Sequence, residues 1–280
     1  MPYFNSLLAG CFILLNALPV HGADAQVKLA YKFRRGEVLR YAVRHSANIE
    51  STIEGTSQQA ETTSESVKAW KVTDVLPNGD IEFVHVVEVV RMSNRVPNRA
   101  RTEYDSKRDK TPPPGFEQAA RAVGVPLSVI RIKPNGEIVS REEKHPQPEV
   151  TDDMPITLRL PDGPVSVGEQ WDEGFDVEVD RKQVRTRRVC QLEAVQNGIA
   201  TIAVEYQVLT PVSALVESQL VERMIKGTVR FDVAKGRIVS QQQDVDRRIL
   251  GFSGDSSMMH FVSRLEERLL KPQEKVARRE

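Results

Sequence analysis

The strongest constraint on the fold of this 280-residue chain is that its second half repeats the strand and turn signals of its first half. The segment TDVLPNGDIEFVHVVEV (73–89) aligns without gaps with LEAVQNGIATIAVEYQV (192–208), and in each an Asn-Gly pair separates two apolar runs. Asn-Gly between apolar runs is a strong signal for a β-hairpin. Two further phrases, KPNGEIVS (133–140) and VAKGRIVS (233–240), also match. The pattern predicts a duplicated β architecture.

We therefore predict a mostly β fold of two related antiparallel β units, forming a curved sheet or half-barrel, with one short helix. Residues 38–49 alternate apolar and polar side chains, which is typical of a half-buried strand. GFEQAARAVG (115–124) has apolar residues at helical spacing and a closing glycine, which predicts the helix. Residues 257–270 fit either a strand or an amphipathic helix, and the repeat favours the strand.

The sequence divides into a signal peptide (1–25), a first β-rich unit (26–145), a linker (146–155) and a second β-rich unit (156–280). The linker is predicted from its prolines and its lack of apolar rhythm.

The first residues have the composition of an export signal. SLLAGCFILLNALPV (6–20) is apolar and is followed by Ala23 and Ala25, which predicts cleavage after Ala25 and a periplasmic or secreted protein. The apolar stretch is too short to span a bilayer, so no transmembrane segment is expected after processing. The alternative is a lipoprotein acylation box ending at Cys11, although most of the apolar stretch follows that cysteine.

Charge and cysteine content exclude several classes of function. The chain has 39 basic and 39 acidic residues, so it lacks the positive charge of a nucleic-acid-binding protein. Once the leader is removed, Cys190 is the single cysteine, and its neighbours Val189 and Leu192 favour a buried apolar role. No histidines have metal-ligand spacing and no glycine-rich phosphate loop is present. We predict no metal and no cofactor.

Four stretches carry a likeness to a known group of proteins: YDS (104–106), GFEQAARAVGVPL (115–127), KGTVRFDVAKGRIV (226–239) and DVDRRILGFSG (244–254). They resemble an uncharacterised family of secreted, β-rich bacterial proteins of planctomycete type that has no assigned activity. The resemblance implies an extracytoplasmic location and the fold class. The expected curved sheet with long strands and a short helix is also similar to periplasmic lipoprotein carriers.

The candidate binding residues lie on the apolar side of two predicted strands. A curled sheet must fill its concave side, and this chain has only nine Phe and two Trp with which to do so. We therefore predict an apolar cavity on that side. Its lining residues would be Tyr41, Val43, His45, Phe83, His85 and Val87, with the two histidines as polar contacts. The alternative for each histidine is a hydrogen-bonded position in the core.

These observations favour a non-catalytic extracytoplasmic binding or scaffold module of the cell envelope. Its ligand would be apolar or a lipid, and its partner a lipid or an envelope protein. The alternative is an extracytoplasmic hydrolase. Asp244 and Asp246 share one strand side and could form an acid–base pair or bind a cation, but solvated charge on a strand is the simpler interpretation. GFSGD (251–255) lacks the second spacer of the Gly-x-Ser-x-Gly motif of hydrolases.

Overall fold

The computed structural model describes residues 26–146 and 157–271, and in this part of the chain twelve strands form one antiparallel sheet. The predicted signal peptide and most of the predicted linker lie outside the described residues. The strands are β1 (Val38–Ile53), β2 (Thr56–Val75), β3 (Ile81–Arg95), β4 (Thr102–Asp105), β5 (Pro126–Ile132), β6 (Ile138–Glu143), β7 (Gln170–Val179), β8 (Lys182–Gln196), β9 (Ile199–Val208), β10 (Lys226–Asp232), β11 (Arg237–Leu250) and β12 (Met258–Leu269).

The predicted fold class is confirmed: the protein is mostly β and its sheet is open and antiparallel. The strand order is β6-β5-β3-β2-β1-β12-β11-β10-β9-β8-β7, and β4 pairs with β3 outside this path. β6 and β7 are therefore the edges, and the two halves of the chain meet where β1 pairs with β12. The strand interpretation of the last segment is confirmed, because β12 covers it.

The repeated segments form strands, but their turns differ. Both 81–90 and 199–208 are strands, as the repeat predicts. Between β8 and β9, Asn197 and Gly198 both have positive φ and form a two-residue hairpin turn. Between β2 and β3 a longer loop surrounds Asn78-Gly79, and of this pair Gly79 alone has positive φ. The same sequence signal thus produces turns of different length.

The structure contains the predicted helix and a second helix that the sequence pattern does not indicate. The predicted helix is α1 (Glu117–Ala122), and the second is α2 (Ala214–Leu220), followed by a short 3-10 turn (Val221–Arg223). The hydroxyl of Ser213 accepts a hydrogen bond from the backbone of Val216 and so caps the start of α2. α2 lies between β9 and β10, as α1 lies between β3 and β5 in the first half, but no closing glycine such as Gly124 follows it in the sequence.

An extended segment at the start of the described chain (27–34) is packed between the two halves of the sheet. The ring centre of Tyr31 lies 5.5 Å from that of Phe231 on β10, and the Phe33 ring lies 6.2 Å from Trp70 on β2. The Tyr31 hydroxyl donates to the carbonyl of Leu158 and accepts from its N–H, both at 3.1 Å. The side of the sheet that carries the hydrophobic core is therefore covered in part by the chain's own residues 27–34.

The two repeated phrases hold this segment from both sides. The N–H of Tyr31 donates to Pro134 O at 2.7 Å, and the N–H of Lys32 donates to Gly236 O at 3.0 Å. Gly236 has a φ of 60°, and a Cβ atom there would lie 2.5 Å from Ala30 O. The duplicated turn thus has an architectural role in each half.

Candidate functional site on the outer face of the sheet

β1 distributes its side chains between two faces of the sheet that differ in what covers them. Leu39 and Tyr41 belong to the hydrophobic core, and we call their side of the sheet the core face. Arg40 and Ala42 alternate with them and point to the opposite side, which we call the outer face. Since residues paired across antiparallel strands share a face, the register assigns the other strands as well.

The six residues of the predicted site all lie on the core face, but two of them are enclosed by the core. Tyr41 and Phe83 have no exposed surface. Their rings contact Trp70, with Phe83 stacked at 4.9 Å and Tyr41 tilted at 5.4 Å between ring centres. The Tyr41 hydroxyl donates to Ile238 O at 3.2 Å.

The two predicted histidines lie in different surroundings. His45 Nε2 is 3.1 Å from Ser263 Oγ on β12, and burial lowers the pKa of His45. His85 lies between Trp70 and Ser128 in the register. Its Nδ1 is buried, with no hydrogen-bond partner among the described residues. Burial, together with the positive charge of Lys68, lowers the pKa of His85 to about 4.

The remaining predicted residues are half-buried. Val43 packs against the core, while Val87 packs beneath α1 with Val90 and Phe116. The structure therefore brings the six residues to one face but not into one site. Tyr41 and Phe83 lie in the core, His45 contacts Ser263 on β12, and Val87 lies under α1.

A buried ion pair on the core face links the two halves of the sheet. Lys68 Nζ of β2 lies 2.6 Å from a carboxylate oxygen of Glu267 on β12, across β1, and only 4% of the Glu267 side chain is exposed. Gln241 on β11 donates to the same carboxylate at 3.1 Å. Because both side chains are largely excluded from solvent, removing one partner would leave a buried charge without compensation.

The outer face carries a depression of about 960 Å³ at the junction of the halves. This volume is within the range of small-molecule sites. Four residues assigned to the core face by the register also border it: Val43, Ser66, Gln241 and Glu267. The outward side chains and end residues around the depression are Arg40, Ala42, Arg44, Glu65, Val67, Glu88, Val89, Arg91, Asp105, Lys107, Thr228, Arg230, Ser240, Gln242, Glu266, Arg268 and Leu270.

One cross-strand row forms the floor of the depression. We call it the amphipathic row, and in order across the sheet it consists of Val89, Val67, Ala42, Arg268, Ser240 and Arg230. The three side chains contributed by β3, β2 and β1 are apolar. The three contributed by β12, β11 and β10 are two arginines and a serine. The first half of the chain thus supplies an apolar end and the second half a basic end.

The next row is a ladder of alternating charge. We call it the charge ladder, and it consists of Asp105, Arg91, Glu65, Arg44 and Glu266. Arg91 lies 3.3 Å from Asp105 and 3.7 Å from Glu65, and Arg44 lies 4.0 Å from Glu65. Opposite charges on neighbouring strands stabilise their pairing and compensate one another.

Asp105 fixes the end of the ladder at β4. Burial acts to raise the pKa of Asp105, but the hydrogen bond from the Lys107 N–H and the Arg91 guanidinium hold it below its ordinary value. Arg108 adds a second cation at 3.2 Å. This carboxylate therefore stays ionised and orders the loop that carries Lys107 beside the depression.

A β-bulge brings β3 into the site. The register of β2 and β3 shifts between Val67 and Lys68, so that β3 contributes one extra residue there. As a result Val87 remains on the core face, whereas Glu88 and Val89 border the outer depression. Glu88 accepts from Arg40 Nε at 2.9 Å.

This site could not be recognised in the sequence, because the polar side of β1 is expected to face solvent in a half-buried strand. The available signal was the small residue Ala42 between two arginines, in register with apolar Val67 and Val89. Recognising it requires the cross-strand register, which no local pattern contains.

Other chemical candidates have structural explanations. Asp244 is paired with Arg264 at 2.6 Å, and Asp246 with His260 at 2.8 Å. Cys190 is buried, and burial raises the pKa of its thiol to about 12. Within residues 26–146 and 157–271, no three His, Cys, Asp or Glu side chains are grouped so that they could hold a metal ion. The helices of the same residues are all too short or too polar to cross a membrane.

No family model and no curated protein matches this chain. Among solved structures, the chain is similar to one of lipovitellin that concerns its lipid–protein interactions, with 16% identity and a TM-score of 0.47. The match covers 88% of this chain, which spans only 27% of the lipovitellin chain. DynF from the dynemicin biosynthesis pathway of Micromonospora chersina matches at 7% identity and a TM-score of 0.23, over 94% of each chain. A DUF1329 family protein from Desulfovibrio piger matches at 12% identity and a TM-score of 0.15, over 79% of this chain and 83% of that one. At TM-scores this low, the neighbours carry no argument about function.

Proposed function

We propose that this protein is a non-catalytic binding module that holds an amphipathic ligand, such as a lipid, on the outer face of its curved sheet. The observation that carries the proposal is the depression of about 960 Å³ over the amphipathic row. A ligand site combines apolar surface with a few placed polar groups, and this row supplies both.

The chemistry of the surrounding side chains supports binding rather than catalysis. The acidic residues Glu65, Glu88 and Asp105 each face an arginine at 4.0 Å or less. Each of these carboxylates already has a cationic partner, and no histidine or cysteine is among the described residues that line the depression. The apolar floor of Ala42, Val67 and Val89 instead offers surface that a ligand would remove from water.

A filling substitution tests this function. Ala42→Trp places an indole on the floor of the depression, so we expect it to weaken binding of decanoate, a ten-carbon amphiphile, by at least about tenfold. Isothermal titration below the critical micelle concentration measures the affinity, and organic extraction followed by mass spectrometry identifies amphiphiles that purify with the protein.

Ser46→Trp is the matched control, because Ser46 is also small and half-buried and lies on the outer face of β1 beyond the depression. Equal binding by wild type and both variants would refute the outer-face site. Absence of binding and of a co-purified amphiphile in the wild type would refute the function.

We further propose that the module works outside the cytoplasm, in the periplasm or beyond, and belongs to the secreted, β-rich family that its sequence resembles. Support comes from the apolar stretch 6–20 and from Ala23 and Ala25. The expected mature protein starts at Gln26. Intact-mass measurement of protein recovered from cells checks this, and a retained Met1 or a lipid on Cys11 would contradict it.

A further inference from the structure

The two ends of the depression differ in chemistry, and this difference restricts the class of ligand that can bind there. Along the amphipathic row, Ala42 ends the apolar part and Arg268 begins the basic part on the neighbouring strand. With strands about 4.8 Å apart, Arg230 lies about 14 Å from Ala42 across the sheet. A ligand lying along this row would contact apolar surface at one end and guanidinium groups at the other.

At the apolar end of the depression, the acidic side chains are paired with arginines. Six basic and four acidic side chains around the depression point to the outer face. Glu267 is not counted among them, because its carboxylate is bound to Lys68 on the core face. Glu65 pairs with Arg44, Asp105 with Arg91 and Glu88 with Arg40. The fourth carboxylate, Glu266, lies on β12 two residues before Arg268 and on the same face. Lys107 stands beside Asp105 at the far side.

At the other end, Arg230 supplies a positive charge that is not compensated by the described residues. Arg230 is exposed, and it has no hydrogen-bond or ion-pair partner among the described residues. Arg268 stands two strands away in the same row, and the hydroxyl of Ser240 lies between the two arginines in the register. Arginine binds carboxylate and phosphate oxygens through its planar set of N–H donors.

We infer that the ligand is an anionic amphiphile whose carboxylate or phosphate head is bound by Arg230, Arg268 and Ser240, and whose apolar chain lies over Ala42, Val67 and Val89. This inference rests on the proposed function and adds the charge and the orientation of the ligand.

The test compares three ten-carbon amphiphiles below their critical micelle concentrations: decanoate, decyl phosphate and uncharged decyl glucoside. We expect the wild type to bind the two anions at least about fivefold more tightly than the glucoside, and this difference to shrink at high salt. Arg230→Gln should weaken the anions about fivefold and leave the glucoside unchanged. Comparing decanoate with decyl phosphate distinguishes a carboxylate head from a phosphate head.

Arg248→Gln is the matched control, because Arg248 is exposed on the outer face of β11 and does not line the depression. It should change none of the three affinities. The inference is overturned if the glucoside binds as tightly as the anions, or if Arg230→Gln weakens all three ligands alike. In those cases the proposed function still stands. If none of the amphiphiles binds the wild type, the proposed function itself fails.

Discussion

At the residue scale, His85 shows how a sequence pattern can find a position without its role. Its place on the apolar side of β3 could be predicted from the alternation of residues 81–87. Its surroundings could not be predicted, because Trp70 and Lys68 lie on β2 and Ser128 lies on β5. Only the register of the folded sheet brings them next to His85. The same holds for Ala42, whose neighbours turn a small residue on a polar side into the floor of a depression.

The environment of His85 predicts a pH-dependent stability. The pKa of this ring is about 4 in the folded protein and about 6.5 in an unfolded chain. As pH falls, the unfolded chain binds the proton first, so stability is complete above pH 6.5 and is lost as pH falls towards 4. Between pH 7 and 4.5 we expect the wild type to lose roughly 1–3 kcal/mol more unfolding free energy than His85→Leu.

Urea unfolding at several pH values measures this difference between the two proteins. Carboxylates that titrate in the same range contribute to both, so the difference isolates the histidine. Parallel loss of stability in wild type and variant would contradict a buried, neutral His85.

At the element scale, strands were easier to predict than helices and turns. The strand β1 and the helix α1 follow directly from their apolar spacing. α2 was missed because only Val216 and Leu220 mark its buried side and because no glycine ends it, whereas Gly124 follows α1. The turn lengths also differ between halves, since an Asn-Gly pair fits both a two-residue hairpin and a longer loop.

The duplicated turn leads to a prediction about glycine. Gly236→Ala would bring a Cβ atom within 2.5 Å of the backbone of Ala30 and Lys32, in addition to the strain of a positive φ. We expect it to lower the unfolding free energy by more than about 2 kcal/mol. Gly55→Ala at the β1–β2 turn has a similar φ of 76° and open space around it, so it should cost only about 1 kcal/mol. Equal losses in urea unfolding would show that contact with segment 27–34 contributes nothing.

At the scale of the whole molecule, the sequence predicted the class of the fold and the repeat but not how the halves join. Apolar alternation shows which side of β1 is buried and is silent about which strand lies beside it. The pairing of Tyr41 with Leu269 connects the two ends of the described chain. The candidate site lies across this junction, which is why it could not be located from either half alone.

The pairing of β1 with β12 also determines when the site can exist during synthesis. Hairpins between neighbouring strands can close as soon as both have been made, because their contacts are local in sequence. The central pair must wait for β12, which is the last strand in the described chain. Until then Ala42 has no Arg268 beside it, so the apolar end of the depression is complete before its basic end. Ligand binding would therefore distinguish nascent chains that already contain β12 from shorter ones.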